Sequence, residues 1–136
     1  MYTEMLIEIK NSGVNFNVEA KIEDLNELEN KLNFDFPLDF KNFYLKVNGF
    51  VDFKGVERHA LWNTKRIAED NTLLDLEYIK FADYMFCLPW IGYSRKDKKI
   101  YKGYGYESEF DGEVELIANN FLEFIELIKI DAKLLY

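Results

Sequence analysis

Residues 36–49 read Phe36-Pro37-Leu38-Asp39-Phe40-Lys41-Asn42-Phe43-Tyr44-Leu45-Lys46-Val47-Asn48-Gly49. Proline suits the first turn of a helix, where its missing N–H is one of the donors the helix leaves unpaired anyway. Phe40, Phe43, Tyr44 and Val47 then recur at helical spacing. Asn48-Gly49 stops the run, because glycine enters the left-handed conformation after a helix at little steric cost. The pattern predicts a helix within Phe36 to Phe50 that buries Phe40, Phe43 and Val47 and ends on Gly49 at positive φ.

Upstream, Ile22, Leu25, Leu28 and Leu32 form an apolar stripe opposite Glu23, Asp24, Glu27 and Glu29, which predicts an amphipathic helix. Glu23 and Asp24 suit the positive end of its dipole. Before it, a mixed run from Thr3 to Ile9 and the alternation Val14, Phe16, Val18, Ala20 flank Asn11-Ser12-Gly13, which reads as two short strands around a turn. Downstream, Asn63 or Thr64 caps a helix through Ile67 and Ala68, continued past Leu73, Leu76 and Ile79 with a break near Asn71. Apolar and aromatic runs from Met85 to Tyr93 and Ile100 to Tyr106 flank the charged tip Ser94-Arg95-Lys96-Asp97-Lys98-Lys99, a β-hairpin pattern. A third strand runs Val114 to Ile117, and Asn119 or Asn120 caps a last helix with Phe121, Phe124, Ile125 and Ile128 on one face. This order of elements argues for an α+β fold, an antiparallel sheet packed against helices. With 136 residues and no Ser, Gly or Pro-rich linker, residues 1–136 read as a single domain, large enough to bury about 68% of its unfolded surface.

The chain holds 17 basic and 25 acidic side chains, a net charge of −8, which disfavours direct binding of nucleic acid because phosphates would be repelled. A basic protein partner is the easier match. Cys87 stands alone, so no internal disulfide forms, and Met1-Tyr2-Thr3-Glu4 has no basic region before an apolar stretch. A reducing cytoplasm is the expected compartment. The longest apolar run, Met85 to Gly92, is broken by Pro89 and falls short of the ~18 residues of a membrane helix, so no membrane partner is expected.

Catalytic and metal chemistry find few carriers. His59 is the one candidate general base, and one His with one Cys cannot build a standard structural zinc site. Cys87, between Phe86 and Leu88, reads as a buried apolar filler. No metal and no cofactor are expected. Among 25 carboxylates some pair lies close in space, so a hydrolytic dyad stays open with little specificity. Gly103-Tyr104-Gly105-Tyr106 lacks the third glycine and the lysine-serine ending of a phosphate cradle, and reads better as strand residues that allow close packing.

Two charged segments remain. Arg95, Lys96, Lys98, Lys99 and Lys102 interleave with Tyr101, Tyr104 and Tyr106 in the manner of a single-strand nucleic-acid platform, yet residues 61–106 balance at only +2, which favours a solvated hairpin tip. Residues 107–136 hold 2 basic and 8 acidic side chains, a balance of −6. Glu107, Glu109, Asp111, Glu113 and Glu115 fall at alternate positions, which places them on one side of an extended segment. That run is either a partner-binding surface, with Tyr104, Tyr106 and Phe110 as aromatic contacts, or a solvated edge strand kept from aggregating by charge. Asp111-Gly112 is also a turn sequence, which would splay the carboxylates.

The segment Ile22, Leu25, Leu28-Glu29, Leu32-Asn33-Phe34, Phe36-Pro37, Phe40-Lys41, Phe43 and Asn48-Gly49 resembles the N-terminal signature of the SUKH superfamily (Smi/Knr-like). Asn33 stands where glycine is usual there, Phe36 where leucine is, Phe40 where tyrosine is, and Phe50 in place of a second glycine. Ile117-Ala118-Asn119-Asn120-Phe121-Leu122-Glu123-Phe124-Ile125 is similar to the family's closing pattern. The resemblance implies a SUKH-like α+β domain. In bacterial members it implies a non-enzymatic immunity protein, or antitoxin, that binds a secreted toxin domain, often a nuclease or deaminase. Eukaryotic relatives are regulatory or scaffold modules, and that role is the alternative for this chain.

Overall fold

The computed structural model describes residues 14–53, 57–72, 77–84, 89–104 and 114–129, together with positions 4 and 7. Its elements in chain order are β1 (Val14–Phe16), α1 (Ile22–Leu32), α2 (Leu38–Tyr44), β2 (Phe50–Phe53), β3 (Glu57–Leu61), α3 (Thr64–Asp70), β4 (Tyr78–Tyr84), β5 (Trp90–Ser94), β6 (Ile100–Gly103), β7 (Val114–Ala118) and α4 (Phe121–Lys129). Each strand pairs antiparallel with the next, so chain order is also spatial order, from β1 at one edge to β7 at the other. The fold is α+β, as the order of elements predicted.

All four described helices pack on one face of this sheet. Leu25, Leu28 and Leu32 of α1, Phe40, Phe43 and Tyr44 of α2, Ile67 of α3 and Phe121, Phe124, Ile125 and Ile128 of α4 meet Ile79, Phe81, Ile91, Tyr93 and Ile100 from the strands. Phe40, with no exposed surface, stacks on Phe36 at 4.4 Å and Tyr44 at 4.2 Å and meets Phe121 edge-on at 5.1 Å. Each fully buried ring of this kind contributes roughly 1.5–3 kcal/mol. The aromatic stripe of residues 36–47 is thus the centre of the core.

Several boundaries differ from the sequence expectation. Helix α2 ends at Tyr44, and Phe50, expected at its far end, opens β2. The N–H groups of Lys46 and Val47 both donate to the Phe43 carbonyl, which tightens the chain out of the helix. Gly49 follows at φ +84°, and a Cβ there would collide with the carbonyl of Leu61 and the backbone of Trp62. Helix α3 stops at Asp70, short of the expected continuation to Ile79. Asn71 causes the stop: its Nδ2 donates to the carbonyls of Ile67 and Lys80 while its Oδ1 accepts the Lys80 N–H, so one side chain closes the helix and starts β4. Ile79 and Phe81 then follow the two-residue period of a strand. Leu73 and Leu76 lie outside the described residues. At Glu4 and Ile7 the backbone is helical where a strand was expected. Tyr2, Met5, Leu6 and Ile9 carry the helical spacing that this expectation overlooked.

The expected hairpin forms as β5 and β6, with Tyr93 opposite Ile100 and Trp90 opposite Gly103. Among the described residues its strands are Trp90–Ser94 and Ile100–Gly103, and the indole of Trp90 lies across Gly103 where a Cβ would stand. That contact is the close packing expected of a glycine in this stretch.

Candidate partner-binding surface

The acidic run joins β6 to β7. Gly103, the last residue of β6, pairs with Val114, the first of β7. Tyr104 is 53% exposed. Glu115, the last of the five expected carboxylates and the one that falls in β7, has its side chain 58% exposed and lies 3.5 Å from Nζ of Lys102, which the fold buries. Glu115 and Lys102 are cross-strand partners, so their pairing follows from the β6–β7 register. Glu107, Glu109, Asp111, Glu113, Tyr106 and Phe110 lie outside the described residues.

The helix that follows β7 adds two carboxylates the sequence reading did not single out. Asn120 Oδ1 accepts the Glu123 N–H while Glu123 Oε2 accepts the Asn119 N–H, a reciprocal cap that fixes the start of α4. Asp39 of α2 reinforces it, accepting the N–H groups of Phe121 and Leu122 on its Oδ2. With α4 so placed, Ile117, Leu122 and Leu127 line a shallow apolar groove beside β7, and Glu123 and Glu126 form its rim. Leu122 and Leu127 fall five apart, off the Phe121, Phe124, Ile125, Ile128 stripe, which was the available signal.

The basic and aromatic segment is otherwise employed. Arg95 donates from Nη2 to the Leu32 carbonyl at 2.9 Å and from Nη1 to the Asn33 carbonyl at 3.1 Å, satisfying the C-terminus of α1. Lys96 reaches Glu77 at 3.4 Å, and the Lys98 ammonium stands 5.3 Å from the Phe34 ring. The Tyr101 hydroxyl donates to Asp97 Oδ2 at 2.6 Å. That bond to a carboxylate is the main cause that pushes the Tyr101 phenol up to about 12, with desolvation second. Desolvation raises the Asp97 carboxyl, but the bonds from Tyr101 and the Lys99 N–H, with the Lys99 charge, outweigh it and leave Asp97 below its ordinary value. On the sheet face away from the helices, Tyr78, Trp90 and Tyr101 form a ridge with centroids 5.5 and 5.7 Å apart.

His59 lies in β3, its backbone opposite Tyr84, and Cys87 is outside the described residues. Among the described residues Asp70 and Asp83 are both held by Arg66, at 3.2 and 3.1 Å. Asp83 is 2% exposed, also accepts the Trp62 indole N–H, and the guanidinium lies 4.1 Å over the Trp62 ring. This cluster ties α3 to β4 and keeps Asp83 out of reach of a substrate. Among the described residues no group of three or more His, Cys, Asp or Glu is placed to hold a metal, and no helix is long and apolar enough to cross a membrane.

The signature residues are joined by physical contacts. Glu29 Oε2 accepts the Phe36 N–H at 2.7 Å and pairs with Lys41 at 3.6 Å, so one carboxylate links α1, the turn and α2. Asn33 ends α1 at φ 49° and ψ 50°, the left-handed conformation that asparagine, after glycine, tolerates best. Asn48 Oδ1 accepts the Thr64 N–H, so the residue that ends one helix region also caps α3. The sequence model described as the SMI1/KNR4 family (SUKH-1) matches residues 19–127. The chain belongs to the SUKH-1 family. Its family match begins just before α1 and runs into α4, so it takes in the Glu29, Asn33, Asn48 and Asp39 contacts, Lys102 and Glu115, and the whole β7 groove. No curated protein matches the chain.

Proposed function

We propose that this SUKH-1 chain is a non-enzymatic immunity protein that acts in the cytoplasm by stoichiometric binding of a basic toxin domain. The family membership over residues 19–127 carries the reading. The net charge of −8 and its concentration beyond residue 106 support a basic partner. Glu107, Glu109, Asp111, Glu113 and Glu115 supply attraction, and Tyr104, Tyr106 and Phe110 supply close contact. No cofactor enters this mechanism, which is occlusion or distortion of the toxin's own site.

The test uses the C-terminal domain of a secreted toxin encoded beside this gene. Co-expression restores growth, and titration of the purified toxin domain shows inhibition that ends at one protein per toxin, with a complex of that composition in native mass spectrometry. Inhibition by far less than one equivalent would make the protein an enzyme. Absence of both complex and protection would leave the regulatory or scaffold role.

A further inference from the structure

Helix α2 turns Phe40, Phe43 and Tyr44 into the core, which leaves Leu38, Asn42 and Leu45, spaced i, i+4 and i+7, on the opposite side. All three are exposed, Leu38 at 69%, and Leu45, the cap residue, keeps helical φ and ψ. Of the seven large hydrophobic residues exposed among the described ones, four lie in this region: Val18, Ile22, Leu38 and Leu45. The Ala20 N–H donates to the Tyr44 carbonyl at 2.9 Å, so Val18 and Ile22, two residues to either side of Ala20, come to the Leu45 end of the stripe. Leu38 marks the other end, about 10 Å away at 1.5 Å per residue. The stripe carries no charge, and the charges next to it are engaged. Lys41 pairs with Glu29 at 3.6 Å, and the Asp39 carboxylate accepts the N–H groups of Phe40, Phe121 and Leu122. At the Leu45 end the exposed charges balance, Lys21 and Lys46 against Glu19 and Glu23.

We propose that this face of α2 pairs with the same face of a second copy of the chain, the two helices antiparallel about a two-fold axis beside Asn42. A two-fold contact needs a patch that reads alike from both ends, and leucine, amide, leucine does so. Antiparallel pairing carries Leu38 of each copy to Leu45, Val18 and Ile22 of the other. It also sets the two Asn42 amides at the axis, where each offers the other a donor and an acceptor. A lone amide at the centre of an apolar helix pair fixes register, as it does in coiled coils. A basic toxin domain fits this face less well, because the neighbouring Glu29 and Asp39 are already engaged. Chains of net charge −8 repel one another, and contact along this uncharged stripe sets no like charges side by side. The stripe spans about two helical turns, the size range of transient interfaces, so a Kd on the order of 100 µM is expected. None of the residues assigned to the toxin takes part, so the pairing is independent of the immunity reading.

Sedimentation equilibrium of the full chain is expected to pass from mostly monomer at about 10 µM to mostly dimer at about 1 mM. Across the same dilution series the amide shifts of residues 18–22 and 38–45 move, while those of β5 and β6 stay in place. Leu38→Glu, at a site too exposed to support the fold, weakens the dimer about tenfold or more, and circular dichroism confirms that the variant is folded. Disulfide trapping in a Cys87→Ala background reads the geometry. Asn42→Cys oxidises to a covalent dimer. Leu38→Cys does not trap itself, because its two copies stand about 10 Å apart along the helices and a disulfide spans at most about 7 Å between Cα atoms. Mixed with Leu45→Cys, it forms the cross-linked pair. A chain that stays monomeric at about 1 mM overturns the proposal. So does a dimer indifferent to Leu38→Glu, a set of dilution shifts that maps elsewhere, or a Leu38→Cys variant that traps itself as fast as Asn42→Cys. If the Cys87→Ala background does not fold, the shift map and Leu38→Glu decide the question.

Discussion

At Gly49 the chain turns at φ +84° with the backbone of Leu61 and Trp62 directly against its Cα. A left-handed backbone costs an L-residue about 1–2 kcal/mol, and the overlap with a fixed carbonyl adds to it. Gly49→Ala therefore lowers stability by about 2 kcal/mol or more, measured as a lower urea midpoint with unchanged slope. Asn33, also left-handed, lies in an exposed turn, so Asn33→Gly is expected to leave that midpoint nearly unchanged. Asp97 and Tyr101 carry a different kind of residue-level consequence. Their bond depresses the carboxyl and raises the phenol, so Tyr101→Phe moves the Asp97 midpoint up toward or past 3.8, read from its carboxyl carbon shift. The sign follows from linkage: a depressed Asp97 contributes stability above its unfolded value and loses it as the pH falls through the folded one. A raised Tyr101 contributes fully below pH 10 and loses its contribution between 10 and about 12. An unchanged Asp97 midpoint in the phenylalanine variant would show that the bond is not kept in solution.

Helix α4 is held by a residue that sequence periodicity reads only as a charge on α2. Asp39 Oδ2 accepts the Phe121 and Leu122 N–H groups across 82 and 83 positions, while its Oδ1 accepts the Phe40 N–H. Removing such a cap costs about 1 kcal/mol, within a range of roughly 0.5–2. Asp39→Ala is expected to lower the thermal midpoint accordingly and to speed amide exchange first at Phe121 and Leu122. Exchange that quickens equally in all helices would show a global effect instead. The elements legible in the sequence were those whose signals are local. The stripe of Leu25, Leu28 and Leu32, the apolar run ending at Tyr93, and the Asn120 cap each declare themselves within a few residues. Strands β2, β3 and β4 were missed because their partners set them: Phe50–Phe53 is four residues long, and Tyr78–Tyr84 follows a helix whose end depends on Asn71 binding Lys80. The groove beside β7 was hidden for the same reason, since Ile117 and Leu127 become neighbours only when α4 folds back over the edge.

Across the whole molecule, charge is distributed unevenly, near balance in residues 61–106 and at −6 from residue 107 onward. A partner arriving from solution responds to that field before it makes any contact, so the field acts on the association rate. Exposed aromatic and apolar contacts, by contrast, set how long the complex lasts. Replacing Glu109, Asp111 and Glu113 by lysine adds two units at each position and moves the net charge from −8 to −2. At 0.01 M salt, where the Debye length is about 30 Å, the triple variant is expected to bind the toxin domain about tenfold more slowly than the native chain. At 1 M salt the length shrinks to about 3 Å, and the two association rates converge. Dissociation, governed by the apolar contacts, changes little at either salt concentration. Stopped-flow mixing with the toxin domain across this range separates the two rates, and circular dichroism confirms that the variant stays folded. An association rate indifferent to the three reversals at low salt would place the interface away from this end of the molecule and leave the acidic run as charge that protects an edge strand from self-association.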